Sequence, residues 1–263
     1  MSWLADTIWG NTKKDEPKVY FETENWAVRK YAPIKPASDF IPSQWKKMPT
    51  FTKKETHKID SEQTIRACPG IGDYMKTGFI IPAWCDMELL PSQDGQMVET
   101  RYSDTNYNSA YHPADQVTNE HSSVMQKFGV RSAVKLDCPW KIWQPKDWSL
   151  LYFPMYFMED RNWEAVPGVI DHDLGALMSP INIMMFEKKR TLIKLGDPIV
   201  QVIPIKREKI VARTSDLSKT AVDRHNAIIQ TNKITFSGWS KWQHAKKDYT
   251  VDAQDTDLPG DKS

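Results

Sequence analysis

A chain of 263 residues and 30.4 kDa fits one large domain with arms better than two independent domains, and it is long enough to bury a sizeable core. Its 35 basic and 34 acidic residues leave a net charge of +1, which argues against nucleic acid or a membrane surface as partner. A composition of 40% hydrophobic and 26% charged residues is globular, no apolar run nears the ~18 residues of a membrane span, and Met1 to Asp6 lack the basic-then-apolar pattern of a signal peptide, so a protein that is not secreted is expected.

Residues 1–60 read as an extended arm. Pro17, Pro33, Pro36, Pro42 and Pro49 leave no room for a long helix. Nine aromatic side chains in the same stretch are more than a disordered tail carries. Such a segment lies on its own domain or on a neighbouring subunit, with Trp3, Trp9, Trp26 and Trp45 as anchors. Ser43 to Pro49 can form one helical turn, closed by the proline.

The segment 61–213 reads as the main domain. It opens with a short helix that has Pro69 in its first turn and Gly78 as its stop. Phe79 to Leu89 then reads as a strand, with Pro82 marking an edge or a bulge. Residues 91–123 are polar and predict a long surface excursion. From Ala133 onward, short β segments recur about every ten residues, the spacing of a closed or sandwiched all-β core. Gly168 to Gly175 reads as a connecting turn with positive φ at its glycines. A buried Gln201 would need partners for its amide, which a neighbouring backbone can supply. Residues 214–247 read as a helical segment, with Ala221, Val222, Ile228 and Ile229 on the apolar face of a helix over 218–230. Residues 248–263 hold five Asp against one Lys and read as a solvated acidic tail. Cys68, Cys85 and Cys138 are an odd set with no close pair, which fits reduced thiols better than a disulfide framework.

Two segments carry a resemblance. Pro167-Gly-Val-Ile-Asp-His-Asp-Leu-Gly175 is followed, 21 residues after its last glycine, by Gly196-Asp-Pro-Ile-Val-Gln-Val-Ile-Pro204, and Gln144-Pro-Lys-Asp-Trp-Ser-Leu-Leu-Tyr-Phe-Pro154 precedes both. This set resembles the core of the trimeric dUTPase and dCTP deaminase superfamily, over about residues 144–208. The resemblance implies a mainly β, dUTPase-like β-clip fold, with Gly168, Asp171, Gly175, Gly196 and Gln201 as its motif residues. It places Asp171 where the superfamily has its water-activating carboxylate. It also exposes departures: Leu174 stands where the superfamily has an aromatic that stacks on the base, Pro154-Met155-Tyr156 where it has Pro-Arg-Ser for phosphate, and Phe236 to Trp242 hold one glycine where it has a glycine-rich lid. A phosphate site without its arginine and hydroxyl loses charge-assisted hydrogen bonds of about 1.5–3 kcal/mol each. These departures predict loss of dUTP hydrolysis and of dCTP deamination. As a whole the chain is also similar to a family encoded by tailed bacteriophages, through Trp45 to Phe51, Cys68-Pro69, Gly78 to Pro82 and Gln201 to Glu208.

Other groupings are less specific. Asp171-His172-Asp173 on one turn suits backbone hydrogen bonds better than one ion. His112, Asp115 and His121 offer two imidazoles and a carboxylate, without the surrounding pattern that a metal centre needs. No metal and no cofactor is therefore expected. Glu187 to Arg213 holds eight bases against three acids and reads as exposed strand ends or a docking surface for an acidic partner. The expectation from the arm and the phage resemblance is a non-enzymatic, virion-associated structural protein, capsid-decorating or connector-type, sited in the virion or host cytoplasm. It would be a homo-oligomer, trimeric by preference, or would bind other virion proteins. Two other readings stand beside it: a nucleotide-binding or nucleotide-hydrolysing enzyme of the dUTPase and dCTP deaminase type, and an early phage protein that binds a host target.

Overall fold

The structure is a computed structural model that describes residues 17–52, 63–113, 130, 132–156, 158, 161–173, 177–212, 214, 223 and 226. The chain divides into two compact units, 1–209 and 210–263. In the first, β1 (Tyr20–Glu22), α1 (Trp26–Tyr31), β2 (Lys35–Pro36), α2 (Ser43–Lys47) and α3 (Pro69–Tyr74) lead into β3 (Phe79–Pro82), β4 (Met87–Pro91), β5 (Val98–Tyr102), β6 (Ser109–His112), β7 (Ala133–Leu136) and β8 (Lys141–Trp143). These are followed by β9 (Trp148–Phe153), β10 (Trp163–Ala165), β11 (Gly168–Ile170), β12 (Leu177–Met178), β13 (Ile181–Met185), β14 (Thr191–Ile193) and β15 (Pro198–Lys206). In the second unit Asp223 and Asn226 are helical and exposed; the rest of the helix expected over 218–230, and the acidic tail, lie outside the described residues.

Every strand pair among the described residues is antiparallel. The largest sheet runs β11-β9-β15-β3-β2, and the others run β10-β13-β7-β6, β14-β4-β5 and β1-β8-β12. The core between them is aliphatic and sulfur-rich: Ile81, Met87, Leu89, Leu136, Ile142, Leu150, Ile183, Met185, Ile193, Ile199, Val200 and Val202 are buried. Cys85 and Cys138 join this core, and burial pushes their thiols up to about 11 and about 12, which keeps them protonated.

β15 is the strand on which the fold turns. Ile199, Val200, Gln201 and Val202 are all buried, so both of its faces are covered. Their alternation therefore separates two packed faces rather than a core face and a wet one. The polar Gln201 is accommodated because its Nε2 donates to the carbonyls of Tyr74, at 2.9 Å, and Thr77, at 2.6 Å. Those are groups just past and within the end of α3, where a helix leaves its last carbonyls without partners. The chain then turns at Gly78, with φ of +74°. A Cβ there would lie 2.2 Å from the Val202 carbonyl oxygen, so β15 and the turn touch backbone to backbone.

Several sequence expectations need correction. Pro82 lies opposite Pro198 beside a register shift, a bulge as one of its two readings required, but β3 is not an edge strand because β15 and β2 flank it. The polar stretch 91–123 is no surface excursion through residue 113: β5 pairs with β4, and β6 pairs with β7. Its strands are hard to see because their outward side chains, such as Glu99, Arg101 and Ala110, are exposed and only Val98 is buried. Gly168 to Ile170 is strand rather than turn, and Gly168 carries no positive φ, so its role as a flexible corner falls away. Gly196, with φ of +87°, does require its glycine.

Residues 17–52 settle onto their own domain. β1 pairs with β8 and β2 with β3. Asn25 caps α1 by accepting from the Ala27 and Val28 amides, while its Nδ2 donates to the Tyr107 hydroxyl at 2.6 Å. Thr64 Oγ1 donates to the Pro49 carbonyl at 2.6 Å, and Arg66 Nη1 to that of Lys46 at 2.6 Å.

The β15 contacts set a stability test. Gly78→Ala should destabilise the protein by about 2 kcal/mol or more, from the left-handed backbone and the close approach together. Gln201→Leu should cost about 1–3 kcal/mol because two carbonyls lose their donor. Denaturant unfolding measures both, and a wild-type midpoint for either variant would show that the contact at β15 is not needed.

Candidate functional site

The end of β11 delivers Asp171 to the surface beside the start of β9 and the end of β15. β9 lies between β11 and β15, pairing Leu150 with Ile170 on one side and Ser149 with Ile205 on the other. Ser149 Oγ donates to Asp171 Oδ1 at 2.5 Å, and Arg207 Nη1 approaches the same oxygen at 3.0 Å. Both contacts fall on Oδ1; no bond is made to Oδ2 among the described residues. The Asp171 side chain is 49% exposed.

Arg207 is fixed from two directions. Its backbone N–H donates to the Asp147 carbonyl at 2.7 Å. Its guanidinium grips Asp173, Nη2 to Oδ2 and Nη1 to Oδ1 at 3.3 Å. Asp173 in turn accepts from the Asp147 amide at 3.3 Å, and its side chain is only 6% exposed. Asp147 sits at φ of +65° in the turn before β9, a conformation that Asp tolerates better than most residues. The Ser149 hydrogen bond, with Arg207 beside it, holds the Asp171 carboxyl below the usual carboxylate range; the Arg207 hydrogen bond does the same for Asp173. Both are anions at neutral pH.

Between them His172 points inward. It is fully buried and shares a hydrogen bond of 3.2 Å, through Nε2, with the Tyr152 hydroxyl. Burial lowers its pKa, against the opposing pull of Asp171. The turn thus alternates: two carboxylates face Arg207 while the imidazole anchors the turn to β9.

The other sequence candidates are dispersed. Gly168 begins β11, Gly196 turns the chain into β15, and Gln201 lies within it, so these three shape the scaffold rather than line the site. Gly175 and Leu174 lie outside the described residues, as do Trp3 and Trp9. Trp26 is 62% exposed on α1. Trp45 is a correction: it is 6% exposed, buried within its own chain, and so is withdrawn as an anchor for a neighbour. His112 is in β6, while Asp115 and His121 are not described; among the described residues no group of three metal-ligating side chains gathers. No helix among them is long and apolar enough to cross a membrane. At Pro154 to Tyr156 the structure has an aromatic cluster: Tyr74, Phe153 and Tyr156 pack with ring centroids 5.9–6.0 Å apart, and the Tyr74 hydroxyl donates to the Pro154 carbonyl at 3.0 Å. Sequence reasoning missed Ser149, Asp173 and Arg207 as neighbours of Asp171. Arg207 was visible only as one of many bases near the end of β15.

No known family description matches the chain, and no curated protein does. Among solved structures, it is similar to the dUTPase of a Staphylococcus aureus phage, phi11, in a variant described for its structural Mg(II) ion: 10% identity, TM-score 0.35, 77% of this chain and 99% of that one. A variant dUTPase of Staphylococcus bacteriophage 80alpha gives 11% identity, TM-score 0.34, and coverage of 77% and 98%. Another 80alpha variant, with dUpNHpp, gives 12%, 0.32, and coverage of 77% and 90%. The described residues are mainly β. The expectation of a non-enzymatic, virion-associated structural protein is withdrawn: the similar structures reported are phage dUTPases, which are enzymes.

The buried imidazole predicts a pH effect with a definite sign. His172 stays neutral in the fold while the unfolded chain binds a proton near pH 6.5. Stability from this residue is complete above that pH and is lost as pH falls from there through its lowered folded value. Wild type should lose more melting temperature between pH 7.5 and 5.5 than His172→Gln. Equal losses in the two proteins would show that His172 does not carry the dependence.

Proposed function

We propose that the β-clip unit is a nucleotide-binding, nucleotide-hydrolysing enzyme of the dUTPase and dCTP deaminase type, with Asp171 as the carboxylate that activates water. The observation that carries the reading is the state of Asp171. It is ionised, half-exposed and held by Ser149 and Arg207 through Oδ1, with no bond to Oδ2 among the described residues. A water bound to Oδ2 would give up its proton to the carboxylate as its oxygen attacks phosphorus, and diphosphate or phosphate would leave. The resemblance of the Gly168 to Asp171 segment to the superfamily's motif supports the same role.

The substrate reading is a nucleoside triphosphate, with the base left open because Leu174 replaces the superfamily's stacking aromatic. A homo-oligomer accompanies this reading, with a trimer as its specific form. The surface supports assembly: Val169 on β11 and Met178 on β12 are 59% and 63% exposed, on strands that end their sheets among the described residues. Light scattering should then give a mass near three chains, and a monomer at high concentration would refute the assembly.

The activity is tested by release of diphosphate or phosphate from a panel of ribo- and deoxyribonucleoside triphosphates with Mg²⁺. At least one should be hydrolysed, and Asp171→Asn should lower the rate by about a hundredfold or more. No turnover of any triphosphate, or turnover that survives the substitution, would overturn the reading. The acid limb of kcat/KM, which reports the free enzyme, should lie below the ordinary carboxylate range of about pH 4.

A further inference from the structure

We propose that Arg207 is the phosphate-contacting residue of this site and that, at rest, it is also a latch on Asp171. The inference rests on the reading of Asp171 as the water-activating group and names the residue that receives the substrate's charge. It starts from a gap. The segment that resembles the superfamily's phosphate-binding run, Pro154-Met155-Tyr156, has neither its arginine nor its hydroxyl-bearing serine, and in the structure it joins an aromatic cluster. A polyanion arriving at Asp171 would meet two carboxylates with no cation from that segment. Arg207 is the cation the fold places there instead, 3.0 Å from Asp171 Oδ1.

The two contacts of Arg207 are unequal. The grip on Asp173 uses both terminal nitrogens on a side chain that is 6% exposed, and Asp173 is itself fixed by the Asp147 amide. This pair holds the guanidinium in place with its plane and direction defined. The contact to Asp171 is a single approach to a side chain that is 49% exposed, and exposed single contacts contribute little. A guanidinium has five N–H donors, and the contacts to the two aspartates leave Nε and other N–H bonds for a further acceptor. A phosphate oxygen can therefore be bound without giving up Asp173. It competes only with the weaker contact, to Asp171.

That competition has a chemical use. While Ser149 and Arg207 both sit on Oδ1, Asp171 is a weaker base than it would be with Ser149 alone. When phosphate draws the guanidinium toward itself, Asp171 loses a stabilising neighbour and gains a negative one, so its affinity for a proton rises as substrate arrives. Ser149 keeps its bond to Oδ1 and keeps the carboxylate oriented. Idle water activation is thereby suppressed, and the base is strengthened only in the substrate complex. The backbone bond from Arg207 to Asp147 lets the side chain shift without moving the strand.

The test compares wild type, Arg207→Gln and Arg207→Lys, each checked for folding by its melting temperature. Binding of inorganic tripolyphosphate and of nucleoside tri- and monophosphates is measured by calorimetry, alongside kcat and KM. Arg207→Gln should weaken tripolyphosphate and triphosphate by about tenfold or more and monophosphate much less. Arg207→Lys should fall between, since it keeps the charge and loses the fork; it also serves if the Gln variant does not fold. In Arg207→Gln the acid limb of kcat/KM should move to higher pH, a change that a purely structural role would not produce. Wild-type affinity for tripolyphosphate in the folded variants would overturn the assignment of Arg207 and leave Asp171 untouched. Tripolyphosphate binding that depends on Arg207, in a protein that hydrolyses no nucleotide, would sustain Arg207 as an anion site and overturn the proposed enzyme. A wild type that binds neither tripolyphosphate nor any nucleotide would overturn both.

Discussion

The ladder between β9 and β15 holds the functional region together. Its six residue pairs run from Gln201 opposite Phe153 to Lys206 opposite Trp148. At one end it is locked into the core, where β15 is buried on both faces and Gln201 satisfies the end of α3. At the other it emerges beside the Asp147 turn and brings Arg207 to the surface near the buried Ser149. β11, on the far side of β9, needs only its own register to bring Asp171 to the same place. A slip of one residue in either ladder would turn Ser149 away from Asp171 and break the site without unfolding the sheet.

The site that results has two carboxylates and one guanidinium close to each other, and burial assigns their parts. Asp173 is nearly covered and bound from two sides, which makes it the fixed counter-charge for Arg207. Asp171 is open, bound on one oxygen, and chemically available on the other. His172 ties the turn between them to Tyr152 on β9. Equivalent residue types thus acquire different roles through exposure and hydrogen bonding, the same principle by which paired carboxylates divide work in hydrolytic enzymes.

Much of this was legible in the sequence, and the failures have physical causes. The Gly196 to Pro204 segment announces a buried strand because it combines a turn glycine, a φ-fixing proline and alternating β-branched residues. Asp171 stands out because its turn motif is local. What cannot be read locally is pairing. Ser149 and Arg207 are 58 residues apart and become neighbours only through the β9 and β15 register. The strands within 91–113 escaped notice because their outward faces are polar, and periodicity is a poor guide where one face is wet and few inward positions are large. In residues 17–52 the prolines leave room only for short helices such as α1 and α2, and composition does not say what covers an aromatic. Trp45 is buried and Trp26 exposed, although both sit in similar company in the sequence.

On the proposal made for Arg207, phosphate is received where Arg207 and Asp171 meet. A crystal structure of the protein with a non-hydrolysable triphosphate analogue and Mg²⁺ tests it directly. Phosphate oxygens should lie within hydrogen-bond distance of the Arg207 guanidinium, with Arg207 still paired with Asp173 and a water on Asp171 Oδ2 facing a phosphorus atom. An analogue bound elsewhere on the molecule, with the Arg207 to Asp171 contact intact, would contradict it.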